Sequence, residues 1–188
     1  MNFFVYPFFF GIRFCRKVVN LIENRGQLNK INKVGPVRSI GRCLFVSNEG
    51  YIDIGDHIEC GNFVNFSVSH GGKLAINSNV FIGDYVKLIA AAGKIAIGAN
   101  TMIAEDVVLR TGSYGLRSNQ LIRNQALQFR DIEICSDVWI GRGCTVLGGV
   151  NIPEGVVISA NSLVTKSSHM EPYKIYGGVP VTEIGERR

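Results

Sequence analysis

The chain has 188 residues, enough for one domain with a real core, and 46% apolar against 19% charged residues excludes a disordered chain. Its 22 glycines stand beside only 5 prolines and follow no Gly-X-Y period, which excludes collagen and points to an all-β protein with short strands and many tight turns. The net charge of +5 suits an anionic partner, but no nucleic-acid motif or array of stacking aromatics accompanies it, so no nucleic acid is expected.

The first stretch reads MNFFVYPFFFGIRFCRKVVNLIENRG. Its apolar run, Phe3 to Phe10, is too short to span a bilayer and is broken by Pro7. No basic region precedes the run, so it does not read as a cleaved signal peptide. Arg13, Arg16 and Lys17 follow, mixed with Phe14, Val18, Val19, Leu21 and Ile22. Residues 1–48 are expected to form an N-terminal cap packed on the domain or on a neighbouring subunit, with peripheral membrane contact as the alternative. Five cysteines, an odd number without a secretory signal, indicate reduced thiols and a cytoplasmic protein. None has CxxC spacing, so no metal site is expected.

From residue 49 a six-residue step begins. Ile54, Cys60 and Phe66 open it; Ile76, Ile82 and Leu88 repeat it; Ile97, Ile103 and Leu109 follow. The longest run is Ile134, Ile140, Val146, Ile152, Ile158 and Val164. Four residues after each stands a small or β-branched residue, as at Val138 and Cys144, and the next residue is often Gly, as at Gly141. A helix has period 3.6 and a lone strand period 2, so neither gives this step. A prism does. Each unit is a short strand and a turn, three units make an eighteen-residue coil, and coils stack about 4.8 Å apart. The aliphatic residue points inward, and the small one is expected where the turn is tight. Gly71-Gly72-Lys73 and Ala91-Ala92-Gly93-Lys94 are corner insertions. Residues 110–131 leave the prism as a loop, whose four arginines (110, 117, 123 and 130) against Asp131 give it a net charge of +3. The expected organisation is therefore a cap over 1–48, a parallel β-helix over 49–166 with that loop, and a C-terminal tail over 167–188.

The stretch DVWIGRGCTVLGGVNIPEGVVISANSLVTKSSHMEPYKIYGGVP, residues 137–180, resembles the hexapeptide-repeat acyltransferases, nearest to the sugar O-acetyltransferases of bacterial surface-polysaccharide synthesis. The resemblance covers about residues 50–184. It implies a left-handed parallel β-helix working as a homotrimer. The left hand comes only from the resemblance, since crossovers are generally right-handed. It also implies acetyl-CoA as co-substrate in a groove between subunits. The positions matching the family's CoA-binding residues are Trp139, Gly141, Gly149, Ala160, Asn161, Lys166 and Pro180. Where the family has Pro-Ala-Lys, this chain has Pro180-Val181-Thr182, so a phosphate contact passes to Lys166, Arg187 or Arg188.

The family's chemistry needs a base, because an alcohol is scarcely ionised at neutral pH. Its histidine stands in a context like Thr-Gly-Ser-His; here Thr111-Gly112-Ser113 is followed by Tyr114. Of the three histidines, His70 shares a face of the repeat with Ser113, two coils away, while His57 reads as a corner residue and His169 lies in the tail. His70 is the first candidate for the base and Tyr114 the second, with Ser113, Arg110 and Arg117 as acceptor-binding residues. The expected activity is acetyl transfer from acetyl-CoA to a sugar hydroxyl of a capsule, O-antigen or exopolysaccharide, or its precursor. The alternatives are N-acetylation of a nucleotide-linked amino sugar and a non-catalytic assembly protein. A γ-class carbonic anhydrase would need three converging histidines, and these three are scattered.

Overall fold

The computed structural model describes residues 31–188. The aromatic, basic stretch expected as a cap or membrane contact lies outside the described residues. Among those described, no helix is long and apolar enough to cross a membrane.

Six coils stack as a prism with three parallel-sheet faces. They run over 33–48, 51–69, 73–91, 94–110, 132–147 and 151–164. Strand pairing keeps the six-residue step in register from coil to coil. Ile54, Ile76, Ile97, Ile134 and Ile152 form a column behind the first face. Cys60, Ile82, Ile103, Ile140 and Ile158 stand behind the second. Phe66, Leu88, Leu109, Val146 and Val164 stand behind the third. All fifteen are buried, as period-2 strands demand of every second residue. The result is a left-handed parallel β-helix, an exception to the usual right-handed crossover.

Three features depart from the sequence reading. The coils begin at Lys33–Val34, so residues 33–48, expected in the cap, build the first coil. Its repeat is obscured by Gly35-Pro36, by a bulge between Val37 and Ser39, and by a step of three rather than four from Ile40 to Cys43. The tail is also more than a tail: Lys174–Gly178 continues the second face in parallel, and Val181–Glu186 folds back antiparallel and ends it. Finally, the tight point of each corner lies three residues after the aliphatic position, not four. His57, Asn79, Asn100 and Asp137 occupy the left-handed region at one corner, and Phe63, Tyr85, Asp106 and Asn161 at the next. The residue four on, such as Val138 or Cys144, turns inward and is buried.

The glycine after the aliphatic residue does relieve crowding. A Cβ at Gly141 would lie 2.7 Å from the backbone nitrogen of Ala160 in the coil above.

Candidate active site

The excursion after coil 4 is a β-hairpin. Gly112–Tyr114 pairs antiparallel with Leu127–Phe129. Thr111 anchors its base: the buried hydroxyl donates to the Ala91 carbonyl and accepts the Ala91 N–H, both at 3.0 Å. The Arg130 N–H donates to the Thr111 carbonyl at 3.1 Å and closes the opening. The far end is held by Gln125, only 8% exposed, whose amide bonds backbone groups of Arg117 and Gln120.

Between the hairpin and the outer surface of the third face lies a pocket of about 380 Å³. Ile89, Arg110, Ser113, Tyr114, Leu127 and Phe129 are among its lining residues. Arg110 stands in register between Ile89 below and Leu147 above, and its Nε donates to the Gly112 carbonyl at 3.3 Å. Tyr114 is half exposed and Ser113 stands beside it, its hydroxyl donating to the Tyr114 carbonyl. The pocket thus gathers three of the sequence-nominated residues: Arg110, Ser113 and Tyr114. Arg117 lies outside its lining, with its backbone N–H and carbonyl both engaged by Gln125.

His70 is exposed and left-handed, at φ 52°, just past the third-face strand of coil 2. The preceding Ser69 pairs with Ala91, and Ala91 underlies Gly112. His70 therefore marks the same edge as Ser113, two coils lower, about 10 Å along the axis at the coil spacing. It does not line the hairpin pocket.

The seven positions matched to CoA binding fall into two groups. Trp139 projects, half exposed, from the second face, and Gly141 follows on the same chain segment. Ala160 and Asn161 sit one coil above Gly141 at the same corner. The turn at Pro180 joins them through the Gly178 N–H, which donates to Ser162 Oγ at 3.2 Å. The second group is at the opposite edge of the third face. Gly149 is left-handed at φ 92°, and a Cβ there would meet both Arg130 Cδ and Lys166 Cβ at 3.2 Å. This cradle sets the stems of two cationic side chains beside a bare backbone turn, and neither has a carboxylate partner among the described residues. Such a set fits a phosphate group.

Sequence reasoning does not single out Gln125, Arg130, Ile89 or Phe129. Arg130 enters it only through its charge, and nothing in a polar loop distinguishes Gln125 from Gln120 or Gln128 before the backbone closes around it.

No family model matches the chain. It is similar to WbbJ of Escherichia coli K12, assigned to lipopolysaccharide biosynthesis as an O-acetyl transferase, with 29% identity over 144 residues, 72% of each chain. It is 31% identical over 122 residues to the galactoside O-acetyltransferase of the same organism, covering 63% of this chain and 58% of that enzyme. Among solved structures, AntD, an N-acyltransferase from Bacillus cereus in complex with dTDP and 3-hydroxybutyryl-CoA, superposes with a TM-score of 0.71 at 20% identity, over 88% of each chain.

Proposed function

We propose that this chain, a hexapeptide-repeat acyltransferase, carries the acetyl group of acetyl-CoA to a hydroxyl of a sugar in a cell-surface polysaccharide or its precursor. The observation that carries the reading is the hairpin pocket: a site of sugar size, built over one prism face, beside the cationic cradle at Gly149. The lipopolysaccharide role assigned to WbbJ supports the glycan acceptor. Galactoside acetyltransferase, solved with coenzyme A, supports the donor.

Acetyl-CoA supplies an activated acyl thioester. Lys166 and Arg130 hold its phosphates at the cradle, and Gly141, Ala160 and Asn161 offer turn backbone to its pantetheine arm, with Trp139 and Pro180 at the margins. Arg110, Ser113 and Tyr114 hold the acceptor, and Arg117 frames the hairpin above it. The acceptor extends from the pocket toward His70, whose imidazole takes the hydroxyl proton as the oxygen attacks the thioester carbonyl; collapse of the tetrahedral intermediate breaks the C–S bond, and His70 returns the proton to the departing CoA thiolate. Backbone N–H groups of the coil turns hold the oxyanion. The active unit is a homotrimer with three equal sites at subunit boundaries.

Thiol release from acetyl-CoA, followed with a panel of neutral, acidic and amino sugars, tests the reading. An ester product on a hydroxyl supports it. An amide product on an amino sugar would replace it with N-acyl transfer. Absence of both CoA binding and thiol release would leave an assembly protein without catalysis.

A further inference from the structure

The pocket's chemistry goes further than its size. Its lining holds one cation, Arg110, and no acid. The outward residues of the third face above and below it include Lys87 and Arg110, again without an acid. The hairpin overhead adds Arg117, Arg123 and Arg130 against the single Asp131, and Asp131 is occupied, its Oδ1 accepting the Lys94 N–H at 2.8 Å.

Arg110 is also aimed. Ile89 and Leu147 flank it along the face, and the Gly112 carbonyl takes its Nε–H. That leaves the two terminal nitrogens of the guanidinium as a free fork, with no carboxylate partner among the described residues. A planar fork beside apolar walls is the arrangement that recognises a carboxylate. Leu127, Phe129 and the ring of Tyr114 supply those walls, against which the C–H face of a sugar ring packs.

We infer that the acceptor is an anionic sugar, of the uronic-acid class, and that Arg110 is the residue that selects its carboxylate. This rests on the acetyl-transfer reading for the identity of the acceptor, but the selectivity of the pocket stands as a binding property of its own. The rival source of an anion at Arg110 is a phosphate of CoA, and the test separates the two.

Binding of two matched methyl hexopyranosides, one with a C6 carboxylate and one with a C6 hydroxymethyl group, is measured by calorimetry on protein saturated with CoA. The carboxylate glycoside is expected to bind at least about 10-fold tighter, as a charge-assisted pair warrants. Arg110→Gln abolishes that advantage, and Arg110→Lys, which keeps the charge without the fork, retains part of it. Equal affinity of the two glycosides, or a preference that survives Arg110→Gln, overturns the inference. So does an Arg110→Gln variant that keeps the preference but raises the KM for acetyl-CoA, since Arg110 then serves the donor. Failure of thiol release with every sugar strikes the acetyl-transfer reading instead, and leaves the glycoside comparison to decide the role of Arg110.

Discussion

Gln125 grips Arg117 by both ends of its backbone. Its Oε1 accepts the Arg117 N–H at 2.8 Å, and its Nε2 donates to the Arg117 carbonyl at 2.9 Å. One buried side chain thereby sets the arc of the hairpin above the pocket. Gln125→Leu leaves these backbone groups without their partner at a cost of about 1–3 kcal/mol. The loss should be local: faster amide hydrogen exchange over 115–125 and a raised acceptor KM, with little change in the exchange of the prism core. Uniform loosening of the whole chain would contradict this.

The division of labour proposed for His70 and Tyr114 predicts a split in kinetics. His70→Ala should lower kcat by about 10²- to 10⁴-fold with the acceptor KM little changed, as loss of a general base does. Tyr114→Phe should act chiefly on acceptor KM. The reverse pattern would transfer the base to Tyr114.

The coil repeat was the legible part of the sequence. Aliphatic positions such as Ile140, Ile152 and Ile158 were readable because burial selects them by a fixed step, whatever their neighbours. The left-handed positions were not. Asn or Asp fills five of the eight, as the left-handed region favours, but His57, Phe63 and Tyr85 fill the others, because the corner constrains the backbone and leaves the side chain in solvent. The same reason hid the pocket. Arg110 and Phe129 are far apart along the chain, and only the hairpin's antiparallel pairing brings them to one cavity.

Two glycines separate steric from conformational demands. At Gly141 a methyl group would collide with the Ala160 backbone, so Gly141→Ala should cost about 1–3 kcal/mol by overpacking. At Gly71 the nearest atom to an added Cβ is 4.0 Å away, and only φ of 73° opposes it, so Gly71→Ala should cost about 1–2 kcal/mol. Denaturant midpoints measure both. Relaxing the backbone cannot rescue Gly141→Ala, but Gly71→Asn should recover most of the loss there, because Asn tolerates the left-handed region.

The thiols of Cys43 and Cys60 meet at 3.4 Å inside the prism. The hydrogen bond with Cys43, and then burial, push the Cys60 thiol well above its ordinary value of 9.0. The folded chain therefore keeps a proton that the unfolded chain releases, and stability should fall as pH rises above about 9. Chemical denaturation across the range from neutral to alkaline pH checks this. Cys60→Ala should flatten the alkaline limb even though it lowers stability at neutral pH.

Trp139 is the only tryptophan, and it stands in register with Met102 and Phe81 as a column of half-exposed apolar side chains on the second face. A column of this kind suits contact between copies. Trp139→Asp should convert the proposed trimer to monomer in sedimentation, and indole emission of the unaltered chain should shift to the red on dilution. An unchanged sedimentation coefficient would move the subunit contact to another face.

The bond from Arg130 to the Thr111 carbonyl means that the hairpin departs and returns at adjacent points of the prism. Coils 4 and 5 meet directly beneath it, Val146 over Leu109, as though nothing intervened. The segment between 112 and 129 is thus an exchangeable cassette. Selection can lengthen it, recharge it or replace it outright, and so reshape the pocket beneath it, while the stack that carries it keeps its register.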